Sequence, residues 1–413
     1  MAEVAVIESR IEARPEEVGM SSKRLENVSR LVHGYVDDGK IPGAITLIAR
    51  GGQVVFYETV GRMDVEAGKA MTDDTIFRIY SMTKPIASVA LMTLYEEGLF
   101  QLDDPASKYI PEFEGLEVFA RGTAEEYQTR PPEREMTVRD VLMHTSGLIG
   151  GGRQHPVSEL YQKAELRGSR SDGTLADMIE KVGELPLYCD PGSEWNYGIS
   201  TDVVGYLCEV LSGQSFDQFL KDRIFEPLGM RDTGFQVRKD QADRFAACYR
   251  REGDGYALSD APKDSAYLTP RKYFSGAGGL VSSADDYMRF CKMLTGEGEL
   301  DGVRILGVRT LEFMTDNHLP NGCDLAAMGQ PQFTETRMDG IGFGLGFAVL
   351  LDPTVAQIIG TPGEYYWGGA ASTAFFVSPE DELSLIFLTQ LMPSGTYPFR
   401  RELRAVTYQA ITD

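Results

Sequence analysis

Apolar residues recur at helical spacing near the start of the chain and then give way to two strand-like runs. The helical spacing is that of Leu25, Val28, Leu31, Val32 and Val36, and it predicts an amphipathic helix over Ser22–Asp38. The runs Ala44–Ala49 and Gln53–Val60 are rich in β-branched and aromatic residues, and the Arg-Gly-Gly between them has the composition of a tight turn. An antiparallel hairpin is therefore predicted.

Later segments predict further helices and strands. Ile86–Leu94 is apolar on nearly every side and ends near Gly98, which predicts a buried helix. The middle of the chain alternates short helical patterns with loops, and the capping box Thr137–Asp140 predicts the start of a helix that ends at His144. The remaining elements are strands over Phe343–Leu351, Ser372–Ser378 and Leu383–Thr389 and a terminal helix over Pro398–Ile411.

Strand-like runs near both ends and a helical middle predict an α/β fold of the α+β type. In this fold one antiparallel sheet is built from both termini and is flanked by helices. We expect residues 1–98 and 340–413 to form the α/β domain. Residues 99–339 are expected to form an inserted, mainly helical domain with long loops.

Composition excludes several classes of function. With 413 residues, 42% of them hydrophobic and 25% charged, the chain has the composition of a globular protein. The formal net charge of −22 makes phosphate backbones and anionic membrane surfaces poor partners, because these are bound by an excess of Lys and Arg. No nucleic acid or membrane partner is therefore expected.

The cysteines and the N-terminus favour a reducing, cytoplasmic location. Five cysteines form an odd set without CxxC spacing, so neither a disulfide framework nor a thiolate zinc site is indicated. No HExxH and no cluster of His and Cys is present, and we expect neither a metal nor a cofactor. The N-terminus is charged where a signal peptide needs an apolar core, and no stretch approaches the roughly 20 apolar residues of a membrane span.

The sharpest chemical signal is an S-x-x-K sequence, Ser81 to Lys84, where a loop enters the buried helix. Residues i and i+3 share a helix face, so Lys84 is expected beside the Ser81 hydroxyl. The free N–H groups and the positive dipole end of the helix would face a developing oxyanion. The same sequence occurs by chance in many proteins, so the spacing alone leaves a non-catalytic role open.

A serine nucleophile needs a base, and this chain has only four histidines: His33, His144, His155 and His318. No G-x-S-x-G turn is present, which leaves a Ser-Lys arrangement as the remaining route. A lysine at its ordinary pKa of ~10.4 is a poor base at neutral pH. Burial or a neighbouring cation must lower that pKa, or the lysine must act through a phenol.

Five stretches, in this order, resemble the serine β-lactamase-like (penicillin-recognising) superfamily: FRIYSMTKP (77–85), DVLMHTSGL (140–148), PGSEWNYGIS (191–200), SGAGGLVSSADDYMRF (275–290) and WGGAAST (367–373). The resemblance is strongest to its carboxylesterase branch, the family VIII esterases, and runs from about Ile41 to about Gln390. We interpret His144, in the second stretch, as structural. The fourth stretch is assigned to packing and turn geometry.

The resemblance implies roles for named residues. Ser81 would be the nucleophile, Lys84 its partner and Tyr197 the catalytic tyrosine, and the N–H groups of Ser81 and Ala370 would form the oxyanion hole. Residues implied to bind substrate are Trp367, Gly368, Gly369 and Trp195. Trp367 is alternatively an ordinary buried tryptophan, and Trp195 and Tyr188 either line the acyl pocket or simply pack. The loops of residues 99–339 would lie over the active site.

Two positions depart from the members of the superfamily that process lactams. Their second motif is Tyr-x-Asn, but Ile199 stands two residues after Tyr197. Their third motif begins with Lys or His, but here Trp367 precedes two glycines. The amide and the cation that would hold a lactam substrate are therefore absent from these motifs, which points to neutral, less polar acyl groups.

The predicted function is a serine carboxylesterase that hydrolyses short-chain, uncharged acyl esters, a small-molecule substrate, through a Ser81 acyl-enzyme with Lys84 and Tyr197 as the base. The alternatives within the fold are a β-lactamase, a D-stereospecific peptidase or amidase, and an acyltransferase. A non-catalytic binding protein that kept the fold is a further alternative, since a fold alone never proves a function.

Overall fold

A central antiparallel sheet joins strands from the two ends of the chain. The computed structural model describes residues 4–6, 8–150, 153–166, 173–329 and 338–413. In chain order the strands are β1 Val4–Val6, β2 Gly43–Arg50, β3 Gln53–Asp64, β4 Lys69–Ala70, β5 Ile76–Arg78, β6 Val118–Gly122, β7 Tyr127–Arg130, β8 Cys248–Glu252, β9 Gly255–Asp260, β10 Val281–Ser283, β11 Glu299–Leu300, β12 Val303–Arg304, β13 Ile341–Phe343, β14 Ala348–Leu350, β15 Tyr365–Gly368, β16 Ala374–Ser378, β17 Leu383–Leu388 and β18 Leu391–Met392.

The helices lie on both faces of the sheet and fill the middle of the chain. They are α1 Ser22–Asp37, α2 Thr83–Glu96, α3 Val138–Leu142, α4 Pro156–Lys163, α5 Leu175–Gly183, α6 Ser200–Ser212, α7 Phe216–Leu220, α8 Glu226–Leu228, α9 Ala284–Thr295, α10 Val308–Thr315, α11 Leu325–Met328, α12 Pro353–Ala356 and α13 Phe399–Tyr408. Short 3-10 segments and a π-helical turn at Lys221–Phe225 connect some of them. None of the helices in the described ranges has both the length and the hydrophobicity of a membrane span.

The sheet order brings the C-terminal strands against the N-terminal hairpin. Its strands run β1-β3-β2-β17-β16-β15-β14-β13, all antiparallel, and β4 adds to β3. The β2–β3 turn is formed by Gly51 and Gly52 with φ of 55° and 73°, the left-handed values that a tight hairpin needs. The predicted α+β fold, with its sheet built from both termini, is therefore confirmed.

Successive side chains along a strand point to opposite faces of the sheet, and helices cover both faces. Phe375 contacts Tyr287 of α9, with the ring centroids 5.2 Å apart, whereas the next residue, Phe376, stacks on Tyr408 of α13 at 5.8 Å. Both faces are thus buried, as the period of two along a strand requires. Helix α2 is buried at every residue from Thr83 to Leu94, as its apolar sequence predicted.

Two local predictions were wrong. The run Phe343–Leu351 is not one strand but two, β13 and β14, which pair through a turn in which the Gly344 N–H donates to the Phe347 carbonyl at 2.8 Å. Gly346 has a φ of 96°, and a Cβ at this position would lie 2.2 Å from Ser88 Oγ. In the middle of the chain, where helical segments and loops were expected, the charged segment 121–134 includes part of the β6–β7 hairpin.

The middle of the chain packs against the sheet domain through a shared core. Buried apolar residues of the sheet, α2 and the middle helices form one continuous cluster. The division of the chain into residues 1–98 with 340–413 and residues 99–339 stays a prediction.

Candidate active site

Ser81 lies on a tight turn at the entrance to α2. The turn is a 3-10 segment, Tyr80–Met82, that runs directly into the helix. Tyr80 has a φ of 43°, in the left-handed region that a non-glycine residue rarely adopts. The Ser81 side chain is half-buried and lines the cavity described below, so its hydroxyl is accessible from the cavity.

The Lys84 ammonium lies beside Ser81, as the i, i+3 spacing predicted. Lys84 Nζ donates to Ser81 Oγ at 3.3 Å and to the Ala277 carbonyl at 2.7 Å. It also lies 4.4 Å from the centroid of the Tyr197 ring, within the range of a cation–π contact. Because the lysine is only 4% exposed, these three groups take the place of the water that an ammonium ion would otherwise bind.

Tyr197 is held by its neighbours just before α6. Its ring stacks on Trp195 at a centroid distance of 5.9 Å and contacts Trp367 at 5.5 Å. The backbone just before Tyr197 is fixed, since the Trp195 N–H donates to the Met328 carbonyl and the Asn196 N–H donates to the His144 carbonyl, both at 2.7 Å. The phenol therefore belongs to a packed aromatic cluster next to Lys84.

A buried carboxylate behind Lys84 was missed by the sequence analysis. Asp202 Oδ1 accepts hydrogen bonds from Ser275 Oγ at 2.6 Å and from the Ala277 N–H at 3.1 Å. Burial raises the pKa of the Asp202 carboxyl, and these two bonds and the charge of Lys84 oppose that effect. The stretch assigned to packing and turn geometry thus also supplies the carbonyl that holds Lys84.

His144 is buried against the same aromatic cluster. Its ring lies 5.0 Å from the Tyr197 ring and 5.8 Å from that of Phe343. Burial, with a smaller contribution from the positive charge of Lys84, lowers the pKa of His144 well below its ordinary value. The imidazole is therefore neutral near neutral pH and packs against the aromatic cluster, and its structural role stays a prediction.

The glycines after Trp367 let the end of β15 approach the nucleophile turn. A Cβ on Gly369 would lie 2.4 Å from the Ile79 carbonyl oxygen, and one on Gly368 would lie 2.7 Å from the Thr373 carbonyl oxygen as well as 2.1 Å from Arg400 Nη2. Side chains of any size are therefore excluded at both positions. The next residue, Ala370, is exposed and lines the same cavity as Ser81.

These groups surround a mainly apolar cavity of about 450 Å³. Its lining includes all the predicted binding residues, Trp367, Gly368, Gly369 and Trp195, together with Ser81, Tyr197 and Ala370. Sequence reasoning missed its other lining residues: Arg250, Leu325, Met338, Ile341, Ala348, Tyr366, Met392, Pro393, Ser394 and Arg400. Tyr188, the alternative pocket residue, instead packs on His155 and Arg153.

The structure brings together the site residues that the sequence analysis predicted from distant parts of the chain. Lys84 contacts both Ser81 and Tyr197, and Trp367 to Ala370 line the same cavity as these two residues. In the part of the chain that the structure describes, no three His, Cys, Asp or Glu side chains are grouped so that they could hold a metal ion. The catalytic and binding roles of the residues stay predictions.

Comparison with known proteins identifies the family. The sequence profile of the Beta-lactamase family matches residues 28–409, almost the whole chain. The chain belongs to this family. Esterase EstB of Burkholderia gladioli is 32% identical over 395 residues, which cover 89% of this chain and 91% of EstB. Protein Rv1367c of Mycobacterium tuberculosis is 33% identical over 362 residues, which cover 86% of this chain and 88% of Rv1367c.

Solved structures agree with this β-lactamase-family assignment. EstCE1, described as a hydrolase with promiscuous acyltransferase activity, superposes with a TM-score of 0.79 at 26% identity and covers 94% of this chain and 99% of its own. The predicted superfamily and its esterase branch are therefore confirmed, and the esterase relatives support the prediction of a serine ester hydrolase.

Asp202→Asn tests whether the buried carboxylate supports the site of this β-lactamase-family protein. A hydrogen bond to a charged group contributes about 1.5–3 kcal/mol, and ~1.4 kcal/mol is tenfold in rate. We therefore expect kcat/KM for p-nitrophenyl acetate to fall at least tenfold, because the Ala277 carbonyl that holds Lys84 loses its anchor. Steady-state kinetics on protein of verified fold by circular dichroism gives the measurement.

Asp286→Asn is the matched control for that substitution. Asp286 is also buried and accepts hydrogen bonds from the Asp232 N–H and from Thr233 Oγ, at 2.7 Å and 2.8 Å. It lies at the start of α9 rather than beside Lys84. Equal losses of activity in the two variants, or full activity in Asp202→Asn, would contradict a role in the site.

Proposed function

We propose that this protein is a serine carboxylesterase that hydrolyses short-chain, uncharged acyl esters through an acyl-enzyme on Ser81. The observation that carries the proposal is the position of Lys84, whose buried ammonium contacts both the Ser81 hydroxyl and the Tyr197 ring. A serine, a lysine and a tyrosine in contact at the edge of one cavity form a nucleophile with its own proton-transfer groups.

Acylation begins when Ser81 Oγ attacks the ester carbonyl carbon. Tyr197, acting as a phenolate beside the Lys84 ammonium, accepts the Ser81 proton as the new C–O bond forms. Collapse of the tetrahedral intermediate breaks the bond to the alcohol oxygen, and Tyr197 returns the proton to that oxygen. A water molecule then attacks the acyl carbon, gives its proton to the same pair of residues and releases the carboxylic acid and the free Ser81 hydroxyl.

The oxyanion of each tetrahedral intermediate would be stabilised by the N–H groups of Ser81 and Ala370. The close approach of Gly369 to the Ile79 carbonyl supports this pairing, because it brings the chain after β15 against the turn that carries Ser81. One donor of this kind contributes roughly 3–4 kcal/mol to transition-state stabilisation in comparable sites.

The preference for uncharged acyl groups rests on the lining of the cavity and on the two altered motifs. Aromatic and aliphatic side chains form most of the lining, among them Trp195, Tyr366 and Trp367. Ile199, which replaces the motif amide, is buried and is not among the described residues that line the cavity. A polar substrate group would have few partners here, and leaving it unpaired is unfavourable by about 1–3 kcal/mol.

Acyl transfer is the second candidate reaction on the same site. If an alcohol or amine replaces water in the second step, the acyl group passes to that acceptor and the first step is unchanged. EstCE1, which is similar to this chain over almost its whole length, is described as having such an activity beside hydrolysis. Product analysis with an added alcohol separates the two outcomes.

Ser81 is expected to be the only covalent nucleophile. A fluorophosphonate probe should add once per chain, at Ser81, and Ser81→Ala should lose both the adduct and esterase activity. Intact-mass and peptide mass spectrometry locate the adduct. Ser88→Ala, in the helix that follows the Ser81 turn and fully buried, is the control and should be labelled like the wild type. An adduct on Ser146 or Ser275 in place of Ser81 would refute the assignment.

Lys84 and Tyr197 are expected to act as one proton-transfer unit. Once either residue is lost, the other has little left to contribute, so the effects on the barrier should not add. We expect Lys84→Ala, Tyr197→Phe and the double variant to show similar losses of kcat. If the barrier of the double variant rises by the sum of the single effects, the two residues work independently.

Short neutral esters are expected to be preferred over β-lactams by at least two orders of magnitude in kcat/KM. A cephalosporin brings a carboxylate and an amide, and each unpaired group weakens binding by about 1–3 kcal/mol, or more when charged, at roughly tenfold per 1.4 kcal/mol. The measurement compares p-nitrophenyl butyrate with nitrocefin at one pH and salt concentration.

The variant Arg250→Met would show which residue is responsible if nitrocefin proved to be a good substrate. If nitrocefin is hydrolysed within tenfold of the ester, the predicted selectivity is wrong. A selective loss of nitrocefin hydrolysis in Arg250→Met would then identify Arg250, which lines the cavity, as the missing cation. If Arg250→Met still hydrolyses nitrocefin, Arg400 would be the cation that binds it, because Arg400 is the remaining charged residue of the described lining.

A further inference from the structure

Arg400 reaches from helix α13 to the turn that follows strand β15. Its Nη2 lies 2.9 Å from Ser394 Oγ, 3.3 Å from the Thr373 carbonyl oxygen and 3.5 Å from the Gly369 carbonyl oxygen. We propose that Arg400 is a positioning residue that sets the orientation and polarity of the Gly369–Ala370 peptide. This inference rests on the proposed function, in which the Ala370 N–H is one of the two oxyanion donors.

The carbonyl that Arg400 contacts and the N–H that would bind the oxyanion belong to one peptide unit. A peptide is planar, so its C=O and N–H point in opposite directions and rotate together. The Gly369 carbonyl also accepts the Ser372 N–H at 3.1 Å. The Ser372 N–H, together with the nearby charge of Arg400, therefore sets the direction of the Ala370 N–H on the other side of the peptide.

Arg400 also joins the two arms of the turn. The Gly369 N–H donates to the Thr373 carbonyl at 2.9 Å, and Arg400 donates to the same carbonyl oxygen. Ser372 Oγ in turn donates to the Leu391 carbonyl at 2.8 Å, and the Leu391 N–H donates to the Ala371 carbonyl at 3.1 Å. The turn is thus held from the side of α13 and from the side of β18.

Gly368 and Gly369 make room for different groups. A Cβ on Gly368 would lie 2.1 Å from Arg400 Nη2, so the glycine makes room for the guanidinium group. A Cβ on Gly369 would lie 2.4 Å from the Ile79 carbonyl oxygen, so that glycine makes room for the nucleophile turn. Trp367-Gly368-Gly369 therefore places one peptide between a fixed cation and Ser81.

The charge of Arg400 adds to the effect of its geometry. The contact with the Gly369 carbonyl is long for a hydrogen bond, so its effect is mainly electrostatic. A guanidinium near a carbonyl oxygen polarises the peptide and makes its N–H a stronger donor. In a mainly apolar cavity such a fixed charge favours the oxyanion of the transition state over the neutral ester carbonyl.

The test compares Arg400→Met and Arg400→Lys with Arg401→Met. Arg401 is the next residue of α13, is exposed and donates to the Gln357 carbonyl at 3.2 Å, away from the turn. We expect Arg400→Met to lower kcat for p-nitrophenyl butyrate by 10- to 100-fold, a part of the 10²- to 10³-fold effect of losing a complete donor, with KM changed less than threefold. Arg400→Lys should recover part of the loss, and Arg401→Met should match the wild type.

A transition-state analogue separates positioning from a general effect on the fold. Butylboronic acid forms a tetrahedral adduct with a nucleophilic serine, and its inhibition constant should rise by the same factor as kcat/KM falls. Inhibition by butyramide, a neutral analogue of the ground state, should not change. Ser394→Ala, which removes the 2.9 Å support of Arg400, should shift kcat in the same direction by a smaller factor and keeps the test available if Arg400→Met does not fold.

Two results would overturn the inference. One is an unchanged kcat in Arg400→Met, and the other is a rise in KM alone, which would indicate ordinary substrate binding. Failure of the proposed function is distinguishable, because Ser81→Ala would then keep its activity. An inactive Ser81→Ala beside a fully active Arg400→Met would refute the role of Arg400 alone.

Discussion

The buried ammonium of Lys84 is the constraint on which the site depends. Removing an ammonium ion from water is unfavourable by several kcal/mol unless other groups replace its hydration. Here Ser81 Oγ, the Ala277 carbonyl and the Tyr197 ring do so, and they come from the start of α2, the chain before β10 and the chain before α6. Satisfying one charge therefore fixes the relative positions of three segments that are far apart in sequence.

The sheet supplies the fourth segment. Strand β17 pairs with β2 on one side and with β16 on the other, and β15 follows, so the C-terminal strands place residues 367–370 beside a turn near residue 80. Gly369 lies against the Ile79 carbonyl, and Gly368 lies against the Thr373 carbonyl and Arg400, which leaves no room for a side chain at either position. Backbone contacts of this kind hold the predicted oxyanion donors more rigidly than a surface loop would.

Local patterns predicted the parts of this site that depend on local geometry. The i, i+3 spacing placed Lys84 beside Ser81, and alternating runs located most of the sheet, except where Gly344 and Gly346 divide the strand predicted over Phe343–Leu351. Tyr197 and Ala370 were reached only through the family resemblance. Asp202, Ala277 and Arg400 were missed because they act on or through backbone carbonyl and N–H groups, which every residue carries and no sequence pattern marks.

The proposed selectivity for uncharged acyl groups depends on how the arginines of the cavity are held and not on their number. Trp367 stands where the motif has its cation, yet two arginines line the cavity among the residues that the structure describes. Arg400 already donates to Ser394 and Thr373, so a substrate carboxylate would have to compete with the bonds that fix the turn. Arg250 is exposed and donates to Ser259 Oγ at 3.3 Å, and an ion pair in such a position contributes only about 0–1 kcal/mol. An anionic substrate therefore gains little from either arginine, whereas a neutral acyl group needs neither of them.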